Sequence, residues 1–177
     1  MKKIITMMMV ALVAISASAA SLDWSVAGKS FTTSDGTSAR AAGYLVTVFY
    51  ATDFTAVQTS IADLVSATAK GNATGISSAI TSIDNLTKSS GITKATGAQG
   101  ATFDSDFDIG TELNIFVVAW DAKTIADATN YIVSDYASTT AYTAPATPAT
   151  KGAFTADSFA NSKWTAVPEP ASAMLAL

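Results

Sequence analysis

The chain has 177 residues, a formal net charge of −4, and a composition that is 49% hydrophobic but only 14% charged. It contains neither Cys nor His, which excludes disulfides, thiolate metal sites, Ser-His-Asp triads and most zinc sites. One domain with an ordinary core is expected at this length, and the sparse, acidic charge argues against a nucleic-acid partner, because phosphate backbones are bound by clustered Lys and Arg.

The first residues have the three parts of an export signal in order. Lys2 and Lys3 form a basic region, and an apolar stretch follows over residues 4–15. The small residues of the predicted cleavage region are Ala17, Ala19 and Ala20. We predict that residues 1–20 are a signal peptide, cut by signal peptidase after Ala19 or Ala20. A membrane anchor is the alternative, but the apolar stretch is shorter than the roughly 20 residues that a spanning helix needs.

Two strands are predicted in the first part of the body. Residues 22–26 alternate apolar and polar side chains, which is typical of a half-buried strand. A Ser- and Thr-rich, hairpin-like loop with an Asp35-Gly36 turn signal follows over residues 29–42. The apolar run at residues 44–50 predicts a strand that neighbours the central strand described below.

Two helices are predicted next. Val57, Ile61, Leu64 and Val65 recur at helical spacing, so we expect a helix over residues 55–70 with Asp53 or Thr55 as N-cap and Gly71 as its stop. A second helix is predicted from Ile76, Ile80, Ile83 and Leu86, although β-branched residues weaken it. The glycine-rich residues 91–100 predict a mobile surface loop.

Asp104, Asp106 and Asp108 alternate with uncharged residues and have two interpretations. Calcium binding needs several converging carboxylates, but Ile109 and Ile115 stand where the helix-loop-helix calcium pattern requires Gly and Glu. In a strand, the same spacing places the three carboxylates in water, with Phe103, Ser105, Phe107 and Ile109 on the opposite face. We favour the solvated face and keep the triplet as a weak metal candidate.

The longest apolar run of the body, residues 112–122, predicts a central strand buried on both faces. After Trp120, either a short helix capped by Asp121 or Thr124 and carrying Ile125, Ala128 and Ile132, or a strand over residues 131–136, fits the pattern. Pro145 and Pro148 then interrupt regular structure. A last strand is predicted over residues 163–167.

These elements predict an α+β fold, with an antiparallel or mixed sheet and two or three helices on one face. A β-sandwich with helical insertions is the alternative. The predicted organisation is a signal peptide at 1–20, a main domain at 21–142, a Pro/Thr/Ala connector at 143–152, a segment with the terminal strand at 153–167 and a tail at 168–177. Without Lys2 and Lys3, 8 basic and 14 acidic residues remain, a net charge of −6.

The tail begins with Val167, Pro168, Glu169 and Pro170 and continues as an apolar stretch, ASAMLAL. This sequence resembles the PEP-CTERM sorting signal of exosortase substrates in Gram-negative bacteria, and the body is similar to small secreted PEP-CTERM proteins of the Verrucomicrobia and Lentisphaerae group. In that family a membrane helix and an Arg-rich end follow the motif. Here both are missing, so we expect a truncated signal; a chance Pro-Glu-Pro turn is the alternative.

The resemblance implies an exported protein of the cell surface or extracellular matrix, with signal peptidase, an exosortase and exopolysaccharide as candidate partners and only transient membrane contact. The absence of His and Cys favours a non-enzymatic role without cofactors. The alternative is a secreted carbohydrate- or calcium-binding module. The candidates for a carbohydrate-binding platform are the aromatic residues Trp24, Tyr44, Tyr50 and Trp120, although aromatic residues in strands are more often core.

Overall fold

The computed structural model describes residues 20–38, 41–143 and 150–168. Within these ranges the protein has two helices and ten strands that form two mainly antiparallel sheets, which confirms the predicted α+β class. The strands are β1 (Ala20–Val26), β2 (Leu45–Tyr50), β3 (Ser89–Ile92), β4 (Gln99–Ser105), β5 (Glu112–Trp120), β6 (Asn130–Val133), β7 (Ala137–Thr140), β8 (Tyr142–Thr143), β9 (Gly152–Phe154) and β10 (Thr165–Ala166). The helices are α1 (Phe54–Ala69) and α2 (Ala73–Leu86).

The larger sheet, here called the central sheet, has the order β10-β6-β5-β2-β3, and β7 also pairs with β5. β5 and β2 are antiparallel neighbours from Leu45 opposite Trp120 to Tyr50 opposite Ile115, as the sequence predicts. The smaller sheet, here called the outer sheet, has β1 in its middle. β4 pairs along one edge of β1, while β8 and β9 pair along the other, β9 in parallel orientation.

The central sheet is buried on both faces because alternate residues of β5 enter two different cores. Ile115, Val117 and Ala119 pack between the two sheets. Phe116, Val118 and Trp120 pack under the helices. All six of these side chains are fully buried. The prediction of a doubly buried strand is therefore confirmed, and the molecule is layered as helices, central sheet and outer sheet.

Each helix buries one stripe of side chains. α1 presents Val57, Ile61 and Leu64 to the core at helical spacing. Asp53 occupies its N-cap position but makes no capping hydrogen bond with its side chain. α2 has a true cap, since the Asn72 side chain accepts a hydrogen bond of 3.1 Å from the backbone N–H of Gly75.

The predicted surface loop at residues 91–100 is wrong at both ends, because β3 runs to Ile92 and β4 begins at Gln99. Only a tight turn separates them, in which the N–H of Gly97 donates to the carbonyl of Lys94 at 2.7 Å. Gly97 has a φ of +77°, which only glycine adopts without strain. Gly97 therefore serves the turn between the two sheets, whereas Gly91 and Gly100 lie within β3 and β4.

The region after Trp120 is a loop and then β6, so the helical alternative is wrong there. The Thr124 hydroxyl accepts a hydrogen bond from the backbone N–H of Asp127, as an N-cap residue does, and donates one to the Asp127 carboxylate. No helix follows within residues 121–130. A helix would place Ile125 and Ile132 on one face, whereas Ile125 packs under the helices and Ile132 packs between the sheets.

The C-terminal segment returns to both sheets. β9 joins the outer sheet beside β1, and β10 pairs with β6 at the edge of the central sheet. The last strand covers only Thr165–Ala166 of the predicted residues 163–167. Residues 144–149 of the predicted connector lie outside the described ranges.

Candidate functional site

The acidic triplet does not converge on a point. Asp104 is the second-last residue of β4, Asp106 and Asp108 follow the strand, and all three residues are exposed. Within the described ranges, no group of three or more acidic residues is close enough to hold a metal ion. Strand alternation accounts for the spacing, since Phe103 and Phe107 pack against the core between the sheets.

Ile109 is the exception to the predicted alternation. We predicted it on the same face as Phe103 and Phe107, but its side chain is 55% exposed. The prediction fails because β4 ends at Ser105 and the chain turns at Gly110, whose φ is +89°. Ile109 thus lies on a surface loop beyond the strand.

The four aromatic residues considered for a sugar platform are not arranged as one. Trp24 and Trp120 are fully buried, and their indole N–H groups donate to Ser89 at 2.9 Å and to Thr47 at 3.1 Å. Tyr50 is 8% exposed. Tyr44 is half-buried and meets Trp164 edge-on at 88°. Their contacts are those of core residues, as we favoured.

The most exposed aromatic contact also lacks the flat geometry that a sugar ring needs. Tyr136 is 52% exposed and lies against Phe54 with ring centroids 5.6 Å apart. The two ring planes are inclined by 83°, so one ring presents its edge to the other. No coplanar pair is available at this position.

A small charged cluster surrounds Tyr50 where β2 meets α1. The Lys88 ammonium lies 3.6 Å from the Asp53 carboxylate and 5.1 Å from the centre of the Tyr50 ring. Burial raises the pKa of Tyr50, Asp106 and Asp53 raise it further, and a hydrogen bond with Ser105 opposes them. The phenol therefore stays protonated at neutral pH and is unsuited to act as a general base.

A polar array that we did not predict covers the solvent-facing side of the outer sheet. The Asp23 carboxylate accepts hydrogen bonds from Thr102 of β4 and from the Tyr142 hydroxyl of β8, the latter at 3.0 Å. Beside it, Ser21 donates to Asp104 at 3.3 Å. The alternation of β1 signals that Asp23 points outward, but its partners lie 79 and 119 residues away. These bonds tie three strands together, so the array has a structural role.

A groove with a volume of about 390 Å³ lies between α1 and the β6–β10 edge. Its lining residues are Gln58, Ile61, Ala62, Tyr131, Val133, Ser162, Lys163 and Thr165. The lining has no carboxylate to pair with Lys163, and the Ser162 hydroxyl donates to the backbone carbonyl of Val133.

The predicted sorting motif emerges directly from the core. Val167 is 5% exposed and packs under the helices, and its N–H donates to the carbonyl of Thr129 at 2.7 Å. Pro168 is half-buried, while Glu169 and Pro170 lie outside the described ranges. The first residue of the motif, Val167, is therefore held in the core of the fold.

The predicted signal-cleavage region meets the fold just as closely. Ala17 and Ala19 lie outside the described ranges. Ala20 is the first residue of β1, is 5% exposed and lies opposite both Ser105 and Thr143. Ala20 thus takes part in the outer sheet, and the cut after Ala19 or Ala20 stays a prediction.

The two motifs lie at opposite ends of the layered domain. β1 starts beside Ser105 and Thr143, towards the Glu112 end of β5. Val167 bonds to Thr129, beside Asp121 at the Trp120 end of β5. β5 has nine residues, so its ends are about 27 Å apart at the rise of a strand.

In the part of the chain that the structure describes, no helix is long and apolar enough to cross a membrane. Comparison of the sequence with protein-family models, and of the chain with curated proteins and with solved structures, finds no match.

Proposed function

We propose that this protein is an exported, non-enzymatic component of the cell surface or extracellular matrix of a Gram-negative bacterium, with a PEP-CTERM-like sorting signal at its C-terminus. The observation that supports the proposal is the position of the two motifs relative to the fold. Ala20 and Val167 are both core residues. A cut before Ala20 and a cut beyond Pro168 would both leave β1 and Val167 in the mature protein.

The chemistry of the domain supports the non-enzymatic part of the proposal. The chain has no His or Cys, and residues 21–177 contain just two glutamates, Glu112 and Glu169. Three partly buried carboxylates have structural partners: Asp23 bonds to neighbouring strands, Asp121 to its own loop, and Asp53 pairs with Lys88. Among the described residues, these contacts stabilise the fold.

The candidate partners follow from the two motifs. A signal peptidase would process the N-terminal segment, and an exosortase would recognise Val167, Pro168, Glu169 and Pro170. Exopolysaccharide remains a proposed surrounding material, and we propose no cofactor.

Export is tested by expressing the chain in a Gram-negative host and fractionating the cells. We expect the wild-type protein in the periplasm, medium or envelope. The Leu12→Arg variant should stay in the cytoplasm, because a charge in the apolar region opposes membrane insertion. Lys70→Arg, a change at the end of α1, is the control and should follow the wild type. A wild-type protein found only in the cytoplasm would refute the proposal.

Sorting is tested in a host that contains an exosortase. Glu169→Ala removes the acidic residue of the motif, and Glu112→Ala is a matched control, because it changes an exposed glutamate elsewhere. We expect a change in processing or envelope retention for Glu169→Ala alone. If the two variants and the wild type are distributed equally between the cell fractions, the motif is not recognised by the exosortase.

A further inference from the structure

The outer sheet ends in an open edge along β4. β1 pairs with one edge of β4 over all seven residues, and among the described residues no backbone group pairs with the other edge. On the face towards the central sheet, Leu22 and Trp24 of β1 are at most 1% exposed, whereas Ala101, opposite Trp24, is exposed. The core therefore closes over β1 and leaves β4 accessible.

The edge strand β4 lacks the features that usually prevent an open edge from pairing with another chain, such as Lys, Pro or a bulge. Its sequence, QGATFDS, contains neither Lys nor Pro. Its register with β1 is unbroken from Ser105 opposite Ala20 to Gln99 opposite Val26, so no bulge interrupts it. The strand is therefore a template to which a further strand can be added.

The hydrogen bonds of β1 show which of its backbone groups point to β4. The carbonyl of Asp23 accepts the Thr139 hydroxyl at 3.1 Å, and the N–H of Ala27 donates to the carbonyl of Phe154 in β9 at 2.9 Å. Both bonds lie on the side of β1 that faces away from β4, since β9 pairs with the opposite edge. Because the direction alternates along a strand, the even-numbered residues of β1 bond to β4.

The residues of β4 that pair with the even-numbered residues of β1 all have odd numbers. Gly100, Thr102 and Asp104 therefore direct their N–H and C=O groups to the open edge. Two antiparallel copies of β4 overlap over their full length in a single register, in which Thr102 lies opposite Thr102 of the second copy and Gly100 lies opposite Asp104. In this register the free groups of the two copies face one another, and each such pair of residues exchanges two hydrogen bonds.

The charges at the two ends of β4 favour the same antiparallel arrangement. Asp104, Asp106 and Asp108 lie at or just after its C-terminal end and are exposed. The turn before its N-terminal end carries the exposed Lys94, whose N–H donates to the carbonyl of Ala98 at 3.0 Å. In the register above, Ala98 of one copy faces Asp106 of the other, so the basic turn of each copy meets the acidic end of its partner. A parallel pair would bring like charges together.

We propose that β4 is a self-association surface, at which two copies of this chain pair antiparallel about a two-fold axis through Thr102 and join their outer sheets. Each copy uses its own open edge, so the assembly closes as a dimer. β4 is about 23 Å long at the rise of a strand, so the interface is small and the equilibrium is reversible and concentration-dependent. The dimer depends on neither export nor sorting.

Association is tested by sedimentation equilibrium of the protein purified from the Gram-negative host, at concentrations up to about 1 mM, so that weak dimers are detected. We expect a monomer–dimer equilibrium for the wild type. Thr102→Pro removes an N–H that faces the open edge, where Pro is tolerated, and should weaken dimerisation at least about tenfold because both copies lose a hydrogen bond. Thr102→Ser, the control, keeps this N–H and the hydroxyl that donates to Asp23, and should stay within about threefold of the wild type.

Three results of this experiment would overturn the inference: a wild type that stays monomeric, open-ended polymers, or a folded Thr102→Pro variant that dimerises like the wild type. Circular dichroism establishes that each variant is folded. Should Thr102→Pro fail to fold, the exposed charges provide the test at low salt. Lys94→Glu and Asp106→Lys should each weaken dimerisation, and the double variant should restore it. A double variant as weak as the single ones overturns the inference.

The register is tested by cysteine cross-linking, since the native chain has no Cys. Opposed residues of a hydrogen-bonded antiparallel pair have Cα atoms about 5.5 Å apart, a distance that a disulfide can span. We therefore expect Thr102→Cys to form a covalent dimer under mild oxidation. Asp104→Cys is the matched control on the same strand, because its two thiols would lie about 13 Å apart along the strand. Equal cross-linking of the two variants, or of neither, overturns the inference.

Discussion

Thr47 and Trp120 form a buried polar contact that offers a quantitative test of the central sheet. Thr47 is 2% exposed, and its hydroxyl donates to the carbonyl of Val118 at 3.2 Å while accepting the Trp120 indole N–H at 3.1 Å. Thr47→Val keeps the shape of the side chain but leaves a buried indole N–H without a partner. An unsatisfied buried donor costs about 1–3 kcal/mol, and the added methyl recovers up to about 0.8 kcal/mol.

We therefore expect Thr47→Val to lower the free energy of unfolding by about 1–2 kcal/mol, or the melting temperature by about 2–8 °C for a domain of this size. The assay is urea denaturation followed by circular dichroism, on protein that lacks residues 1–19. Trp120→Phe removes the donor, so the double variant should lose less than the sum of the two single losses. Thr81→Val, an exposed change on α2, is the control and should stay within about 0.5 kcal/mol of the wild type.

Two results would refute this reasoning. The first is a Thr47→Val variant as stable as the wild type. The second is additivity of the two single changes within about 0.3–0.5 kcal/mol, which is the behaviour of residues that do not interact. Either result would show that the indole N–H of Trp120 finds its partner elsewhere, and the β2–β5 packing would need revision.

Three further outcomes are expected. Burial would raise the pKa of Asp121, but hydrogen bonds from Asn130 and Thr129 outweigh the effect of burial and lower that pKa. The ionised carboxylate therefore stabilises the fold at pH values above its unfolded pKa of about 3.9. This stabilisation is lost as the pH falls through the folded pKa. In urea titrations between pH 7 and pH 2.5, Asp121→Asn should show a weaker loss of stability on acidification than the wild type, and parallel curves would contradict this. Calorimetry with millimolar calcium should give no saturable heat for the wild type or for Asp106→Ala, whereas binding lost only in the variant would restore the metal site. Gly28→Ala should destabilise by about 1–3 kcal/mol in urea titrations, because its Cβ would lie 2.5 Å from the backbone oxygen of Thr96, and an unchanged midpoint would contradict that contact.

The strands that sequence patterns predicted are those long enough to show a period. β5 has nine residues and β2 has six, and their apolar runs indicated burial on both faces. β8 and β9 have only two or three residues each, so no alternation can be read from them. The outer sheet depends on these short strands and on β4, which is why a second sheet did not emerge as the favoured prediction.

A helix-capping hydrogen bond forms after Trp120 although no helix follows it. The Thr124 hydroxyl accepts the backbone N–H of Asp127 as an N-cap residue does, yet the chain forms a loop. The difference lies in Asp121, whose carboxylate accepts four hydrogen bonds from Thr129 and Asn130 and closes the loop. Such a contact joins residues eight and nine positions apart, beyond the reach of a four-residue motif. The polar array around Asp23 was also missed, because its hydrogen bonds join residues 79 and 119 positions apart.

The opposite placement of the two motifs makes the proposed attachment testable by orientation. If the C-terminal motif attaches the protein to the envelope, the Glu112 end, with the exposed Ile109, points away from it, while Asp127 lies beside Val167 and Pro168 near the point of attachment. The native chain has no Cys, so single Ile109→Cys and Asp127→Cys variants carry unique thiols. On intact cells, a bulky thiol reagent should label Ile109→Cys faster, while the purified variants should react at similar rates because both positions are exposed. Equal labelling on cells, or faster labelling of Asp127→Cys, would contradict attachment through the C-terminal motif, because the attachment surface would then not shield the end of the domain from which Val167 emerges.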